Sequence, residues 1–556
     1  MPEKKKGRKP ARSSNGSATE LLDTVESIVQ AEMMVEASLD KVGDNVSFGR
    51  SDEEIVFASL DLENSGKIPA SRLFNALRVM GILADDPRLN LQALGVADIR
   101  EISGTTIDLH QFLAFTQSSQ GTLVRDALQG QLVISDFQSF SEEIKEIYRA
   151  TEHNKGGAVA TYIPQLGRIS PEHFAASICT IDGQRLSIGD AAMPFCIQSI
   201  CKPINYCIGL EEFGAETVHK HVGREPSGIG FNSLSLNSMG LPHNPMINAG
   251  AIMMCSLIRP EEDMADRFDV VIDTWRRMGG GGAVGFNNAV YLSERQTADR
   301  NFALGYFMRE NKAFPKNTPL VDTLEFYFQC CSIETSTNVM SVVAATLANG
   351  GICPLTGERV LANDTVKNCL SLLSSCGMYD FSGEFAFTIG LPAKSGVGGG
   401  LMVIVPNLMG FAIWSPPLDK LGNSVRGVEF CARMVEKYNF HVYDSLASGA
   451  VEKKDPRRRR VDGMAQNVIA ICYAAADGDI KELQHLLARG LDINAADYDG
   501  RTAIHLAASE GHAEFVRILI EKGANPNPRD RWGNTPLDDA RRGHHNDVIA
   551  ILESIQ

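Results

Sequence analysis

The C-terminal part of this 556-residue chain repeats itself, and no other feature limits its fold so tightly. Leu486 returns as Leu519, Gly490 as Gly523 and Asn494 as Asn527, each 33 residues apart; Gly478 and Gly511 keep that period, and Gly543 falls one residue early. Asp499-Gly-Arg-Thr-Ala-Ile-His505-Leu-Ala507 pairs in the same way with Trp532-Gly-Asn-Thr-Pro-Leu-Asp538-Asp-Ala540. A unit of this length holds one helix pair, too little to bury its own apolar face, so only stacked neighbours form a continuous core. Residues 465–556 therefore predict about three units in a short all-α solenoid, a contact surface without a catalytic constellation.

The period and the Thr-x-x-His/Asp runs resemble the ankyrin repeat. The rest of the chain is too long for one core, and roughly one domain per 150 residues suggests three or four in all. The net charge of −15 argues against a general nucleic-acid binder, which needs a basic surface for phosphates. Twelve cysteines without a C-x-x-C form no disulfide scaffold, zinc site or redox motif, and read as buried apolar residues of a reducing, intracellular compartment. The most apolar run, Leu401–Trp414, is broken by Pro406, Asn407 and Gly410, and no membrane span is expected. Residues 1–20 carry six Lys/Arg against Glu3 and Glu20 and read as a disordered basic tail.

Residues 21–125 read as helical, with apolar residues at helical spacing in Ile55, Phe57, Ala58 and Leu60 and again in Leu73, Phe74, Leu77, Val79 and Met80. Asp61-Leu-Glu-Asn-Ser-Gly66-Lys-Ile68 resembles the start of an EF-hand loop. The closing position, where calcium needs a bidentate Glu, is Arg72, so the sequence predicts EF-hand shape without calcium, and no metal site is expected elsewhere. Residues 130–440 form the longest stretch without a linker signal. Short β-prone runs (Ala386–Ile389, Met402–Val405, Phe411–Trp414) alternate with helical ones, which predicts one large α+β domain. Gly279–Gly282 reads as a loop and not a phosphate cradle, because no Lys-Ser/Thr follows. Residues 445–463, with Glu452-Lys-Lys-Asp-Pro-Arg-Arg-Arg-Arg460, read as a charged, exposed linker.

The large domain contains Ser199-Ile-Cys-Lys202-Pro203. Residues three apart share a helix face, so Lys202 can reach the Ser199 hydroxyl, and Pro203 is best tolerated in a first turn, which puts Ser199 near a helix start. A serine attacks only when a base takes its proton. For Lys202 to serve, its pKa must fall by roughly 2–3 units, worth roughly 3–4 kcal/mol. An S-x-x-K pair alone recurs by chance, but Lys394-Ser395-Gly396 follows 192 residues after Lys202, before the β-prone Leu401–Val405. S-x-x-K followed by K-[ST]-G on a strand is the layout of the serine β-lactamase and penicillin-binding-protein fold, helices packed on an antiparallel sheet; its middle S-D-N element is missing here.

Asn244-Pro-Met-Ile-Asn248-Ala-Gly-Ala-Ile252, Ser293-Glu294, Asp299-Arg-Asn301, Gly377-Met-Tyr379-Asp-Phe-Ser-Gly383 and Leu391-Pro-Ala-Lys-Ser-Gly396 resemble the glutaminase family over residues 130–440. The helical N-terminal region and the repeats resemble its animal kidney- and liver-type members. The resemblance implies hydrolysis of L-glutamine to L-glutamate and ammonia, with Ser199 as nucleophile forming a glutamyl ester, Lys202 activating it and Tyr379 assisting proton transfer. Tyr162, Ser199, Asn248, Glu294, Asn301, Tyr327, Tyr379 and Val397 match the substrate pocket. The chemistry agrees: zwitterionic glutamine needs an anion, Glu294, and donors for its carboxylate, which Asn248, Asn301 and tyrosine hydroxyls offer. The backbone N–H groups of Ser199 and Val397 suit an oxyanion.

The resemblance further implies no cofactor, a homo-oligomer, commonly a tetramer, an unidentified protein partner for the repeats, and a mitochondrial address; the Lys-rich N-terminus makes a poor presequence and reads as cytoplasmic. Inorganic phosphate enters as an activator, and the uncharged Gly230 and Ser233 of the loop Ser227–Leu234 predict a weak response. The rivals are a β-lactamase or transpeptidase of the same fold, and a non-catalytic scaffold displaying the repeats.

Overall fold

The computed structural model describes residues 52–96, 98–118, 122–444, 453–488 and 491–555. The tail expected at 1–20 and the start of the linker expected at 445–463 lie outside them. Compactness divides the described residues along other lines than the sequence blocks: one unit draws on 52–73, 91–118 and from 467 onward, the other on 74–90, 122–444 and 453–466.

The first unit begins with α1 (Asp52–Leu60), β1 (Lys67–Pro69) and the start of α2 (Ala70–Val79), and continues in β2 (Thr106–Asp108) and α3 (Leu109–Ser118). β1 and β2 pair antiparallel with Ile68 opposite Ile107, both fully buried, and the Phe57 and Phe112 rings meet at 5.5 Å. The region is thus a pair of helix-loop-helix halves; only the first carries a recognisable loop pattern. Asp61 turns its carboxylate on its own loop, accepting from Ser65 N–H at 3.0 Å and Gly66 N–H at 2.7 Å. The Arg72 guanidinium donates to the Leu60 carbonyl at 2.8 Å. Internal donors close this loop, as a cation does elsewhere.

The second unit is built on a five-stranded antiparallel sheet. After α4 (Phe137–Glu152) come β3 (Ala175–Thr180), β4 (Arg185–Gly189), α5 (Cys201–Val218), α6 (Asn248–Leu257), α7 (Asn288–Gln296), α8 (Leu320–Cys331) and α9 (Thr337–Ala348), then β5 (Ala393–Ser395), β6 (Gly400–Val405), β7 (Met409–Trp414) and α10 (Val425–Lys437). The strand order is β4-β3-β7-β6-β5, with Phe411 opposite both Ile178 and Val403. Alternate residues serve two cores. Leu401, Val403, Phe411 and Ile413 pack toward α4 and α10, while Met402, Ile404, Ala412 and Trp414 pack toward α5, α6, α8 and α9. That explains the unbroken apolar run that reads in sequence almost as a span: it is a hairpin buried on both faces. No helix among the described residues is long and apolar enough to cross a membrane.

Local reasons for these elements are visible. Asp136 caps α4 by accepting from Ser139 N–H, and Phe137, Phe140, Ser141, Ile144, Ile147 and Tyr148 form its buried stripe. Ser336 caps α9, buried throughout except at Asn338, by accepting from Val339 N–H. One strand expectation is corrected: Ala386–Ile389 belongs to the end of the helix Ser382–Thr388 and its C-cap. Phe385 and Ile389, four apart, are buried while Phe387 between them is 83% exposed, a helical period and not an alternating one. The Gly279–Gly282 loop spends all four N–H groups on backbone carbonyls. The linker expected to run to 463 ends early, because a helix spans Arg458–Asp477; arginine is a good helix former.

In the repeats, the Thr-x-x-His and Thr-x-x-Asp runs are reciprocal helix caps, Thr502 with His505 and Thr535 with Asp538. The period also has a stacking cause. His512 and His545 hydrogen bond at 2.9 Å to Ala476 O and Ser509 O of the preceding unit, and a Cβ on Gly478 or Gly511 would lie 2.7 or 2.4 Å from those rings.

Gly410 is where α9 meets the sheet: a Cβ there would lie 2.2 Å from Ala345 N and 2.3 Å from Ala344 C. Gly410→Val is expected to cost about 3 kcal/mol or more, read as a lower urea midpoint of this unit. Gly383→Ala, where a Cβ meets nothing within 4 Å, is the control and should be neutral or mildly stabilising. Equal midpoints for the two variants would contradict this packing.

Candidate active site

Ser199 sits where a strand end turns into a helix. Phe195 and Cys196 pair with Ile333–Thr335, Ile197 N–H bonds Ile333 O at 2.9 Å, and the chain then turns through Gln198 at φ +50°. A short 3-10 turn, Gln198–Ile200, leads into α5, with Pro203 inside its first turn. The left-handed conformation costs a residue with a side chain roughly 1–2 kcal/mol, so the turn must be held by its surroundings. The K-S-G strand holds it. A Cβ on Gly396 would lie 2.5 Å from Ile197 O and one on Gly398 2.3 Å from Cys196 O, so only glycine lets β5 and its continuation cross here. That crossing delivers the Val397 N–H to the site.

Tyr379 is the residue in contact with the serine. It too is left-handed, at φ +54°, and buried. Its hydroxyl donates to Ser395 O at 3.1 Å, and the Ser199 hydroxyl and the Val397 N–H face it as donors. Burial pushes this phenol up, and those two donors pull it partly back.

Lys202, 1% exposed, does not bond Ser199 in this structure. Its Nζ donates instead to Asn248 Oδ1 at 2.7 Å, and Asn248 Nδ2 donates to Asn301 Oδ1 at 3.0 Å. Burial depresses the ammonium, the direction that a proton-accepting lysine requires. Asn248 opens α6, and its N–H bonds Phe231 O at 3.1 Å, while the Phe231 ring packs 4.7 Å from that of Tyr379. The loop Ser227–Leu234 therefore touches both sides of the site.

Glu294, on α7, is 6% exposed and accepts from Gln198 Nε2 at 3.2 Å. No cation among the described residues lies within ion-pair distance of it. Burial raises its pKa to about 7, with the Gln198 bond and then Lys202 opposing. An unpaired buried acid is a costly group that an incoming cation would relieve. Tyr162 is 56% exposed as a residue, but burial of its hydroxyl, then Glu294, pushes the phenol up; Gln165 N–H bonds Ser293 Oγ at 3.4 Å and ties this loop to α7. Tyr327, on α8, and Val397 are buried.

Three neighbours lie outside the sequence reading. Gln198 joins the serine turn to Glu294; Phe231 backs Tyr379; and Lys394, read only as a fold marker, sits directly behind the tyrosine. Gln198 stood next to Ser199 in the sequence, but nothing there signals a left-handed backbone. Among the described residues no cluster of His, Cys, Asp or Glu could hold a metal ion.

Fold and site together define an α+β hydrolase domain of the serine β-lactamase-like type, with EF-hand-like helices before it and ankyrin repeats after it. Comparison with known proteins agrees. Residues 157–443 match the Glutaminase family model, 471–555 a model of three ankyrin repeats and 52–135 an EF-hand domain. The chain is 48% identical over 467 residues to putative glutaminase 3 of Caenorhabditis elegans, covering 83% of this chain and 80% of that one. It is 46% identical over 447 residues to the glutaminase liver isoform, mitochondrial, of Mus musculus, covering 80% and 74%. The solved structure of a probable glutaminase, ybaS, superposes with a TM-score of 0.53 at 34% identity, over 55% of this chain and 99% of that one. The chain belongs to the glutaminase family of amidohydrolases.

The Glu294 shift makes a pH prediction. In the unfolded chain this acid ionises near 4.5; in the fold it ionises near 7. Its ionised form therefore costs stability, a penalty that begins above pH 4.5 and is full above 7, about 3 kcal/mol. Only that ionised form can hold an ammonium. KM for glutamine is expected to rise as pH falls below about 7, approaching tenfold per unit, and Glu294→Gln should flatten that dependence at a higher KM. A parent KM that stays level from pH 8 to 6 would remove Glu294 as the ammonium anchor.

Proposed function

We propose that this chain hydrolyses L-glutamine to L-glutamate and ammonia through an ester on Ser199. The Ser199 oxygen attacks the side-chain carboxamide carbon, and the N–H groups of Ser199 and Val397 hold the oxyanion. The serine proton ends on the buried amine of Lys202, which must first leave Asn248, and the Tyr379 hydroxyl facing Ser199 assists the transfer by turning from Ser395 O. Ammonia leaves with a returned proton, and water cleaves the ester by the reverse path. Glu294 holds the α-ammonium; Asn248, Asn301, Tyr162 and Tyr327 serve the carboxylate and close the pocket. No cofactor takes part, and a weak phosphate response follows from the uncharged Gly230 and Ser233.

What carries this reading is the Tyr379 hydroxyl facing Ser199 at a helix start, beside an unpaired buried carboxylate. A mere scaffold has no use for two strained turns. The repeats serve assembly or partner binding, and the chain works as a homo-oligomer, a tetramer by family resemblance. The mitochondrial address in the names of the mouse and rat relatives supports the same compartment here.

Purified protein should release ammonia from L-glutamine and leave a chromogenic β-lactam intact. Ser199→Ala should lower kcat by at least about 10³-fold while the protein still binds L-glutamate in calorimetry. Activity within tenfold of the parent would take Ser199 out of the role of nucleophile.

A further inference from the structure

Lys394 is a fully buried lysine that the reaction above leaves without a part. It has no acidic partner within ion-pair distance among the described residues, although burying an ammonium alone is expensive. Its surroundings show where its bonding capacity goes. Nζ donates to Gly377 O at 3.0 Å and to Ser395 O at 2.7 Å, and it lies 4.4 Å from the centre of the Tyr379 ring. Gly377 O also accepts Ser395 N–H at 3.2 Å, and Ser395 O also accepts the Tyr379 hydroxyl. The amine thus bridges the two carbonyls that bracket the tyrosine, one on the chain entering its turn and one on the strand its hydroxyl touches.

We propose that Lys394 is a positioning residue: it clamps Gly377 to Ser395 and so locks the left-handed turn that holds the Tyr379 hydroxyl against Ser199. This rests on the reading of Ser199 as nucleophile with Tyr379 as its proton partner. The clamp is needed because Tyr379 sits in a conformation that its own backbone disfavours, and a strained turn persists only when its neighbours over-determine it. The approach is already as tight as backbone allows, since a Cβ on Gly377 would lie 1.8 Å from Ala393 O. A neutral amine has two N–H donors, and the two carbonyls use both. Burial, then the nearby Lys202, favours that neutral form. Being wholly enclosed, Lys394 does not reach the substrate, so its influence passes through Tyr379.

The test is a double-mutant cycle. Lys394→Met keeps the stem and removes the donors; kcat for glutamine should fall by about 100-fold or more, with KM moving no further than in Tyr379→Phe. Because both changes disable one proton route, the double variant should be no slower than the slower single variant, within about threefold. Lys394→Gln, which restores an NH2 donor, should recover part of the loss, and it carries the same cycle if the Met variant does not fold. Losses that multiply, or a Lys394→Met variant with intact kcat and a raised KM, would overturn the proposal. Turnover by the parent and its loss in Ser199→Ala test the underlying reading separately. A parent that hydrolyses glutamine but gives a multiplicative cycle sinks only the role of Lys394.

Discussion

Two residues with full side chains, Gln198 and Tyr379, stand in the left-handed region at φ +50° and +54°, and they bring the Ser199 and Tyr379 hydroxyls to face each other. Neither conformation is stable alone, and each costs roughly 1–3 kcal/mol. They survive because the K-S-G strand passes between the two turns. Its glycines lie against Ile197 and Cys196 on one side, and its Ser395 carbonyl meets the Tyr379 hydroxyl on the other. The doubly buried hairpin β6–β7 fixes that strand, and α9 fixes the hairpin through the Gly410 contact. The active geometry is thus the far end of a chain of packing constraints that begins in the cores.

The same burial that fixes geometry sets the electrostatics. Lys202, Lys394 and Glu294 are all removed from water, and none has an ion-pair partner among the described residues. Burial dominates every one of these shifts, lowering the lysines and raising the acid to about 7. Each group is thereby pushed toward its neutral form, the form in which Lys202 would accept a proton, whereas Glu294 would hold a cation only once ionised. On the proposed reading, the burial of Glu294 is compensated when the substrate ammonium arrives.

Much of this was legible in the sequence where periodicity or a fixed spacing carried it. The 33-residue repeat marked the solenoid because each unit needs its neighbour, and the His512 and His545 bonds show the contact that keeps the period. S-x-x-K and K-S-G marked the fold, and residues expected from the family pattern to line a pocket, Asn248, Asn301 and Glu294 among them, are joined by hydrogen bonds to Lys202 and Gln198 on either side of Ser199. What depended on three-dimensional competition was not legible. The Ser199–Lys202 spacing suggested a direct contact, yet the amide oxygen of Asn248, distant in sequence, captures the amine. Ala386–Ile389 looked like a strand until packing selected a helical pair, Phe385 and Ile389. The second helix-loop-helix half has no ligand pattern, so only the pairing of Ile107 with Ile68 reveals it. A left-handed Gln or Tyr has no signature at all.

The central claim is that the Ser199 oxygen becomes covalently bonded to the glutamyl group. The most direct measurement is rapid acid quench of the parent enzyme with isotope-labelled glutamine, followed by peptide mapping. The account predicts label on the peptide that carries Ser199, appearing with a burst of ammonia that precedes steady release of glutamate. Label on a different residue, or ammonia and glutamate released together with no labelled peptide at any time point, would contradict it.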